Sequence, residues 1–410
     1  MKLYFEARNN FNLKASQDNS YIYYLLVVNL IFILNPLLSI FSQIIFIWND
    51  KNIRQLQFIN LIAHLALLLG LINTTKIPAS DMQDYVQWFY DAQGSNFWEY
   101  IWLEGKEPLY HAVVYMLSNV FLGNKNAFVI SLTFISYFLV LYSLVYLGKK
   151  IQLNQKIMIG IIVTTAFFPQ LFSISMHVIR QFLAGSILTY FFAILICVGK
   201  KKWSLLLIAT LIHTSALIFV PFLFIPGLAK PLTIRQMIYG LLAITISFSA
   251  IISILPIILN LFDNVLLSYV ASRVSQREFY ELDSFSFMPI VMIIFIVGSL
   301  YYKSSINTLR PYNIHIKYYN LFTSVIFFIA LFSLFANIFP PTRELSSRFL
   351  FYLYFLVPIF IVFLCFKMRL VTICFPLIMV FWFIYLLYVL ENGAWQYEYY
   401  LEELAYPVFF

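Results

Sequence analysis

Twelve apolar runs fill most of the chain, and they constrain its fold more than any other feature. A helix needs about 20 predominantly apolar residues to cross a bilayer, and most of the runs reach or approach that length. Only 11% of the residues are charged, against roughly a quarter in soluble domains. The sequence therefore predicts an all-α polytopic membrane protein and excludes a soluble enzyme. The runs cover residues 21–47, 56–72, 108–122, 126–148, 157–173, 178–198, 203–225, 236–259, 287–302, 318–338, 347–366 and 370–390.

The basic residues predict how the runs are oriented. Membrane proteins keep lysine and arginine mainly on the cytoplasmic side, so the net charge of +8 indicates cytoplasmic loops and not a nucleic-acid partner. Lys149 and Lys150 precede the two runs between residues 157 and 198, and Lys200 follows them. These runs are predicted to leave the cytoplasm and return, with the turn at His177 outside.

Two other runs do not fit this orientation as full crossings. Run 108–122 is predicted to be a partial, re-entrant helix, and run 203–225 to be two half-helices that meet at His213, Thr214 and Ser215. This interpretation gives ten crossings, whereas the alternative of twelve counts both runs as full crossings and places lysine clusters outside. Irregular backbone at membrane depth is tolerated where it lines a cavity, so both elements point to a site.

No linker or internal repeat divides the chain. We predict a single integral membrane domain over residues 1–410, with long extracytoplasmic loops at 73–107 and 260–286. Its three cysteines lie in or beside apolar runs, and an odd number argues against a disulfide framework.

Loop 73–107 contains a candidate sugar-binding helix. Asp81, Asp84 and Trp88 fall on one face of it at helical spacing, and Tyr85 lies next to them in sequence. Carboxylates accept hydrogen bonds from sugar hydroxyls, and aromatic rings stack on the C–H faces of pyranoses. The alternative is an amphipathic helix on the membrane surface.

Glu107 ends the same loop, directly before Pro108. Proline suits the first position of a helix, and a carboxylate beside a helix N-terminus interacts favourably with its dipole. Glu107 is therefore either an ordinary helix cap or part of a site.

Arg180 stands at the entrance of an apolar run, on the same helical face as His177 and next to Gln181. An arginine at the bilayer centre costs about 2.5–3.5 kcal/mol on insertion scales, so such a residue either reaches the headgroups or has a specific partner. Its predicted outward position is contrary to the positive-inside bias and favours an anionic partner.

His213 interrupts another apolar run, together with Thr214 and Ser215. Buried polar groups are costly unless they are hydrogen-bonded or face water. The alternatives are a site and a helix–helix hydrogen bond.

Further arginines adjoin predicted membrane segments on the outer side. Guanidinium groups match the geometry of phosphate oxygens, and together these residues suggest recognition of a lipid-linked phosphate or pyrophosphate. They are Arg273, Arg277, Arg343 and Arg348, the last of which precedes Tyr352 by one helical turn. No nucleotide-binding loop, zinc protease motif or nucleophile elbow is present in the sequence.

These residues together resemble the EpsG family and related Wzy-type polymerases of O-antigen and capsular polysaccharide. Asn73 stands where the family often has an arginine. The motifs that carry the resemblance are Asp81 with Tyr85, Glu107-Pro108-Leu109, Arg180-Gln181-Phe182-Leu183-Ala184, His213-Thr214-Ser215-Ala216-Leu217, and Arg348 with Tyr352.

The resemblance implies a GT-C-like fold and an enzyme of the bacterial inner membrane whose active site faces the periplasm. This enzyme would be a metal-independent glycosyltransferase without a cofactor. It would transfer a growing chain from undecaprenyl pyrophosphate onto the next lipid-linked oligosaccharide repeat unit. Arg180 and Arg348 would bind the donor pyrophosphate, assisted by Arg273, Arg277 and Arg343.

The resemblance also implies roles at the acceptor. Asp81, Glu107 or His213 would orient or deprotonate the acceptor hydroxyl, and Trp88 would stack on sugars. A chain-length regulator, a flippase and membrane lipid are the expected partners. The other substrate-binding candidates are Tyr85, His177, Gln181 and Tyr352.

Two further functions belong to different classes. A flippase or transporter of the lipid-linked unit typically has repeated halves, which this sequence lacks. An O-antigen ligase would share the fold and the donor and differ in the acceptor.

Overall fold

A computed structural model of the protein describes residues 22–49, 55–75, 81–102, 106–230, 314–338 and 343–367, with scattered positions between 233 and 246. Every regular element in this part of the chain is helical. The predicted loop 260–286, with Arg273 and Arg277, lies outside the described residues, as do most of run 236–259 and all of runs 287–302 and 370–390.

The helices of the N-terminal half are α1 Ile22–Leu34, α2 Pro36–Asn49, α3 Gln55–Thr74, α4 Asp81–Asp91, α5 Phe97–Ile101, α6 Pro108–Val120, α7 Lys125–Lys150, α8 Gln155–Ala166 and α9 Pro169–His177. They are followed by α10 Ile179–Val198, α11 Trp203–Ile212, the 3₁₀ helix Thr214–Ile218, α12 Phe219–Phe224, the 3₁₀ helix Pro226–Ala229, α13 Ile316–Ile338 and α14 Arg343–Lys367.

The lengths of these helices confirm an all-α polytopic membrane protein. Within the described ranges, four helices are long and apolar enough to cross a bilayer, namely α3, α7, α10 and α13. Shorter apolar helices, such as α2 and α8, accompany them. The total of ten or twelve crossings stays a prediction.

Contacts within the chain group it into two compact units, which the sequence analysis did not anticipate. Among the described residues, the first unit holds residues 22–145 and 153–183, and the second holds residues 146–152 and those from 184 onward. In this part of the chain, boundaries between the units fall inside α7, after Val145, before α8, after Gln152, and inside α10, between Leu183 and Ala184. A single integral domain over residues 1–410 stays a prediction.

Two apolar runs predicted to be continuous are broken. Run 21–47 forms α1 and α2, because Asn35 caps α2 by accepting a hydrogen bond from the Leu38 amide at 2.9 Å, and Pro36 occupies the first helical position. Run 157–173 ends its first helix at Ala166, and Pro169 begins the next. Both breaks follow from proline, which lacks the amide that would continue the preceding helix.

The predicted break of run 203–225 is confirmed. Helix α11 ends at Ile212, His213 is extended with φ −150° and ψ 115°, and a 3₁₀ helix follows. Helix α6 is short, as predicted for run 108–122. Its 13 residues would measure about 20 Å, less than the roughly 30 Å of a hydrocarbon core; its re-entry into a membrane stays a prediction.

A polar network joins the first three helices. His64 Nε2 lies 2.8 Å from Asn29 Oδ1, and His64 Nδ1 lies 2.6 Å from Gln43 Nε2. Gln43 Nε2 can only donate, so Nδ1 accepts and Nε2 carries the proton. Both nitrogens of this buried histidine are therefore satisfied, and His64 joins the helices structurally.

The end of α3 packs against the beginning of α7 in the first unit. A Cβ built on Gly70 would lie 3.2 Å from the carbonyl oxygen of Ile130, and Asn73 Nδ2 donates to Thr133 Oγ1 at 3.0 Å. The C-terminal end of α3 therefore lies beside the N-terminal end of α7. Helices α4, α5 and α6 come between these two ends in the sequence, so they belong to the end of the first unit where α3 terminates.

Candidate functional site

Arg180 is the centre of a polar cluster in the first unit. It is the second residue of α10, and its Nη1 donates to Glu107 Oε2 at 2.6 Å. The Glu107 side chain is 2% exposed and that of Arg180 is 15% exposed. The structure thus brings together two of the residues predicted to act at a site, 73 positions apart in the chain.

Three aromatic rings surround the guanidinium group. Arg180 Cζ lies 4.9 Å from the ring centroid of Trp88, 5.4 Å from that of Tyr85 and 5.9 Å from that of Tyr110. All three distances are within the roughly 6 Å of cation–π attraction. We call Tyr85, Trp88 and Tyr110 the aromatic cage.

The cage is held in place from two helices. The rings of Tyr85 and Tyr110, which belong to α4 and α6, meet edge to face with centroids 5.8 Å apart. Trp88 contacts the ring of His111 at 5.3 Å, and its carbonyl accepts a hydrogen bond from the Tyr100 hydroxyl at 2.6 Å. Edge-to-face aromatic packing resists rotation of the rings, so the cage is a preformed setting for the arginine.

Burial raises the pKa of Tyr85 to about 12, and the neighbouring Arg180 opposes this increase. Tyr85 therefore stays a neutral phenol at physiological pH.

Glu107 departs from its capping interpretation. It occupies the N-cap position of α6, but its side chain makes no capping hydrogen bond and instead contacts Arg180. Its φ of 57° and ψ of 46° lie in the left-handed region, which costs a residue other than glycine about 1–2 kcal/mol. Such strain is concentrated at functional sites, and here it directs a carboxylate toward an arginine.

The other predicted residues of the first unit have different positions. Asp81 begins α4, where its charge acts on Tyr85. Asp84 is exposed on that helix, and His177 is partly exposed at the end of α9. Gln181 is buried in α10 with 1% exposure, so its contact with a substrate stays a prediction.

Asn73 is a structural residue. Its Nδ2 donates to Thr133 Oγ1 and to Ser175 Oγ, both at 3.0 Å, and the residue is 2% exposed. These bonds tie together α3, α7 and α9, the helix that leads into Arg180.

The second unit contains another part of the predicted site. The Ser215 hydroxyl and the Tyr352 hydroxyl lie 2.7 Å apart, which joins the break after His213 to helix α14. His213 is 7% exposed, and Arg348 is partly exposed one turn before Tyr352. The hydrogen bond thus holds the broken helix against the helix that carries Arg348.

Sequence reasoning missed one member of the cage. Tyr110 directly follows the motif Glu107-Pro108-Leu109, and its helical spacing of three residues from Glu107 was the signal that could have identified it. The side chain of Arg343, the first residue of α14, lies outside the described part. Among the described residues, no three histidine, cysteine, aspartate or glutamate side chains come together as metal ligands.

Comparison with known proteins identifies the family. The model of the EpsG family matches residues 55–400, most of the 410-residue chain. Neither a curated protein nor a solved structure matches this chain. The matched range includes every helix from α3 to α14, with the Arg180 cluster and the Ser215–Tyr352 pair. The chain therefore belongs to the EpsG family.

Proposed function

We propose that this protein is a glycosyltransferase that polymerises oligosaccharide repeat units carried on undecaprenyl pyrophosphate. It acts at the periplasmic face of the bacterial inner membrane and produces O-antigen or capsular polysaccharide. The observation that carries the proposal is the caged Arg180 in a membrane protein of the EpsG family. A preorganised guanidinium suits the phosphate oxygens of such a donor.

The reaction requires little beyond positioning and charge stabilisation. The acceptor hydroxyl oxygen attacks the anomeric carbon of the donor, and the bond from that carbon to the pyrophosphate oxygen breaks. The electron pair leaves with the pyrophosphate, whose developing charge Arg180 would stabilise, and a base takes the hydroxyl proton. Asp81 and His213 are the proposed bases, and Trp88 would stack on a sugar.

Arg348 is assigned to donor recognition in the second unit, with Tyr352 as its neighbour on α14. The same role is proposed for Arg343, Arg273 and Arg277. The pyrophosphate is already an activated leaving group, so we propose that neither a metal nor a cofactor takes part. The proposed partners are a chain-length regulator and a flippase.

The orientation of the first unit supports a periplasmic site. Arg180 and Glu107 belong to the end where Asn73 meets Thr133, and about 26 Å of helix separates Thr133 from Lys150 at 1.5 Å per residue. This length approaches the thickness of the hydrocarbon core. Because Lys149 and Lys150 are expected in the cytoplasm, Arg180 is expected on the opposite side.

Labelling of single cysteines tests this orientation. Asp91 and Lys150 are both exposed, so Asp91→Cys and Lys150→Cys can each be introduced after replacement of Cys197, Cys365 and Cys374. An impermeant thiol reagent added to intact spheroplasts should label position 91 and leave position 150 unlabelled. Permeabilised cells provide the control, in which both positions should react. Labelling of position 150 in intact spheroplasts would contradict the proposed topology.

An apolar cavity in the second unit suits the lipid part of the donor. It has a volume of about 390 Å³ and an apolar lining, which favours hydrocarbon because a sugar would lose its hydrogen bonds there. Ile218 is the last residue of the 3₁₀ helix that carries Ser215. We assign the polyprenyl chain to this cavity. Its lining residues are Ile218, Phe222, Ile225, Leu228, Phe328, Ile329 and Phe332.

Filling the cavity should weaken the binding of long donors. We expect Ile218→Trp to raise the KM for an undecaprenyl-linked donor about tenfold, which corresponds to roughly 1.4 kcal/mol of lost apolar contact. The KM for a donor that carries a methyl group in place of the polyprenyl chain should change little. An equal effect on both donors would refute the assignment. Leu217→Trp, at an exposed neighbouring position, is the matched control.

A reconstituted assay tests the function itself. Purified protein in lipid vesicles should convert lipid-linked repeat units into a ladder of longer products. Movement of the unit across the bilayer without growth would indicate a transporter. A single transfer to a different acceptor would indicate a ligase.

A further inference from the structure

The carboxylate of Glu107 is poorly placed to act as a base. A general base must come within about 2.6–3.2 Å of the hydroxyl that it deprotonates. Glu107 is instead 2% exposed and already in contact with Arg180 at 2.6 Å. Because the guanidinium occupies the buried carboxylate, an acceptor hydroxyl has little access to it.

The carboxylate is also not the only group that positions the arginine. The ring centroids of the cage lie within 5.9 Å of Arg180 Cζ, at distances of cation–π attraction. The phenol of Tyr85 is neutral, since burial raises its pKa to about 12. Glu107 differs from the cage because it adds a full negative charge next to the guanidinium.

This charge has a direct consequence for any anion that binds there. A diphosphate on Arg180 would share the guanidinium with the Glu107 carboxylate, and two anions at such short range repel each other. Arg180 alone would hold the donor tightly and the product undecaprenyl diphosphate more tightly still, because cleavage of the bond to the sugar leaves an additional negative charge on the diphosphate. Slow release of this product would limit turnover.

We propose that Glu107 is a counter-charge that weakens the hold of Arg180 on a diphosphate so that the product leaves after each transfer. Glu107 is thus a positioning and affinity-setting residue and not the base. The inference rests on the proposed function, since it takes a lipid diphosphate as the ligand of Arg180.

Binding of undecaprenyl diphosphate to purified protein in nanodiscs is the test. Glu107→Gln keeps the size of the side chain and a hydrogen-bond acceptor for Arg180 while removing the charge. We expect this variant to bind undecaprenyl diphosphate about tenfold more tightly than the unaltered protein, because one like-charge repulsion is lost. In the polymerisation assay both KM and kcat should fall, and added undecaprenyl diphosphate should inhibit more strongly.

Two further variants and a control complete the test. Glu107→Asn, a second neutral variant, should also bind more tightly, and Glu107→Asp, which retains the charge, should bind like the unaltered protein. Glu99→Gln removes an exposed carboxylate of α5 and should change nothing. Thermal unfolding in detergent shows which variants are folded.

The outcomes separate this inference from the proposed function. Suppose that undecaprenyl diphosphate binds and that Arg180→Lys weakens this binding. If neither neutral variant of Glu107 then strengthens the binding, the counter-charge role of Glu107 is wrong and the proposed function stands. A fall in kcat without a change in diphosphate affinity would likewise contradict the inference and identify Glu107 as the base. If the unaltered protein shows no binding that depends on Arg180, the proposed function itself fails.

Discussion

Removing the charge of Arg180 should abolish polymer formation in a protein that still folds. Arg180→Ala alone is unsuitable, because it would leave the buried Glu107 carboxylate unpaired at a cost of about 3–5 kcal/mol. The double variant Arg180→Gln/Glu107→Gln removes both charges and keeps hydrogen-bonding groups in place. We expect its rate of polymerisation to fall by about a thousandfold or more, the scale of effect for an arginine that stabilises a phosphate leaving group.

The measurement is the initial rate of ladder formation from lipid-linked repeat units, with the thermal midpoint recorded in detergent. Glu107→Gln alone separates the contribution of the carboxylate, since it retains the guanidinium and should lose much less activity. Arg235→Gln, at an exposed position, controls for the general loss of a positive charge. A folded double variant that polymerises at the normal rate would remove Arg180 from the mechanism.

A methyl group at Gly185 should destabilise the second unit strongly. A Cβ at this position would lie 2.6 Å from Cε2 of Phe355, a side chain with no exposed surface. The Thr189 hydroxyl one turn later bonds the Phe355 carbonyl at 3.1 Å, so helix α14 cannot move away without losing that contact. Overpacking of this kind costs about 1–3 kcal/mol. We expect Gly185→Ala to lower the thermal midpoint by at least about 2 °C.

Gly227→Ala is the matched control, because a Cβ there has no neighbour within 4 Å. This substitution should leave the thermal midpoint nearly unchanged. Phe355→Leu removes part of the ring and should recover part of the stability in the Gly185→Ala background. If the two alanine variants unfolded at the same temperature, this result would contradict the close contact between α10 and α14 at Gly185.

Several features of the fold and site were predictable from local patterns. The break at His213 was predicted because run 203–225 lies between basic stretches that should both be cytoplasmic, and the three consecutive polar residues indicated where the run divides. Arg180 was identified because a charged residue at the entrance of an apolar helix either reaches the headgroups or has a specific partner. The two unpredicted breaks, at Pro36 and Pro169, had an equally local cause that hydropathy alone does not register.

The pairing of Arg180 with Glu107 was not predictable in this way. Both residues were candidates, but 73 positions separate them and no periodicity relates α6 to α10. The same holds for Ser215 and Tyr352, which are 137 positions apart. Such contacts depend on which helices pack together and on how far each is shifted along its axis. The local patterns of a single sequence do not specify either.

Local sequence patterns were enough to identify an α-helical membrane protein and the polar residues that enter its apolar segments. The reason is that hydropathy and proline act over a few residues, through transfer from water and the loss of a backbone amide. Helix packing, in contrast, pairs Glu107 with Arg180, brings three aromatic rings around the guanidinium and lets Asn73 tie the neighbouring helices together. Those facts depend on distances of a few ångströms between separate helices, because the strength of a charge pair or a hydrogen bond is set by its geometry.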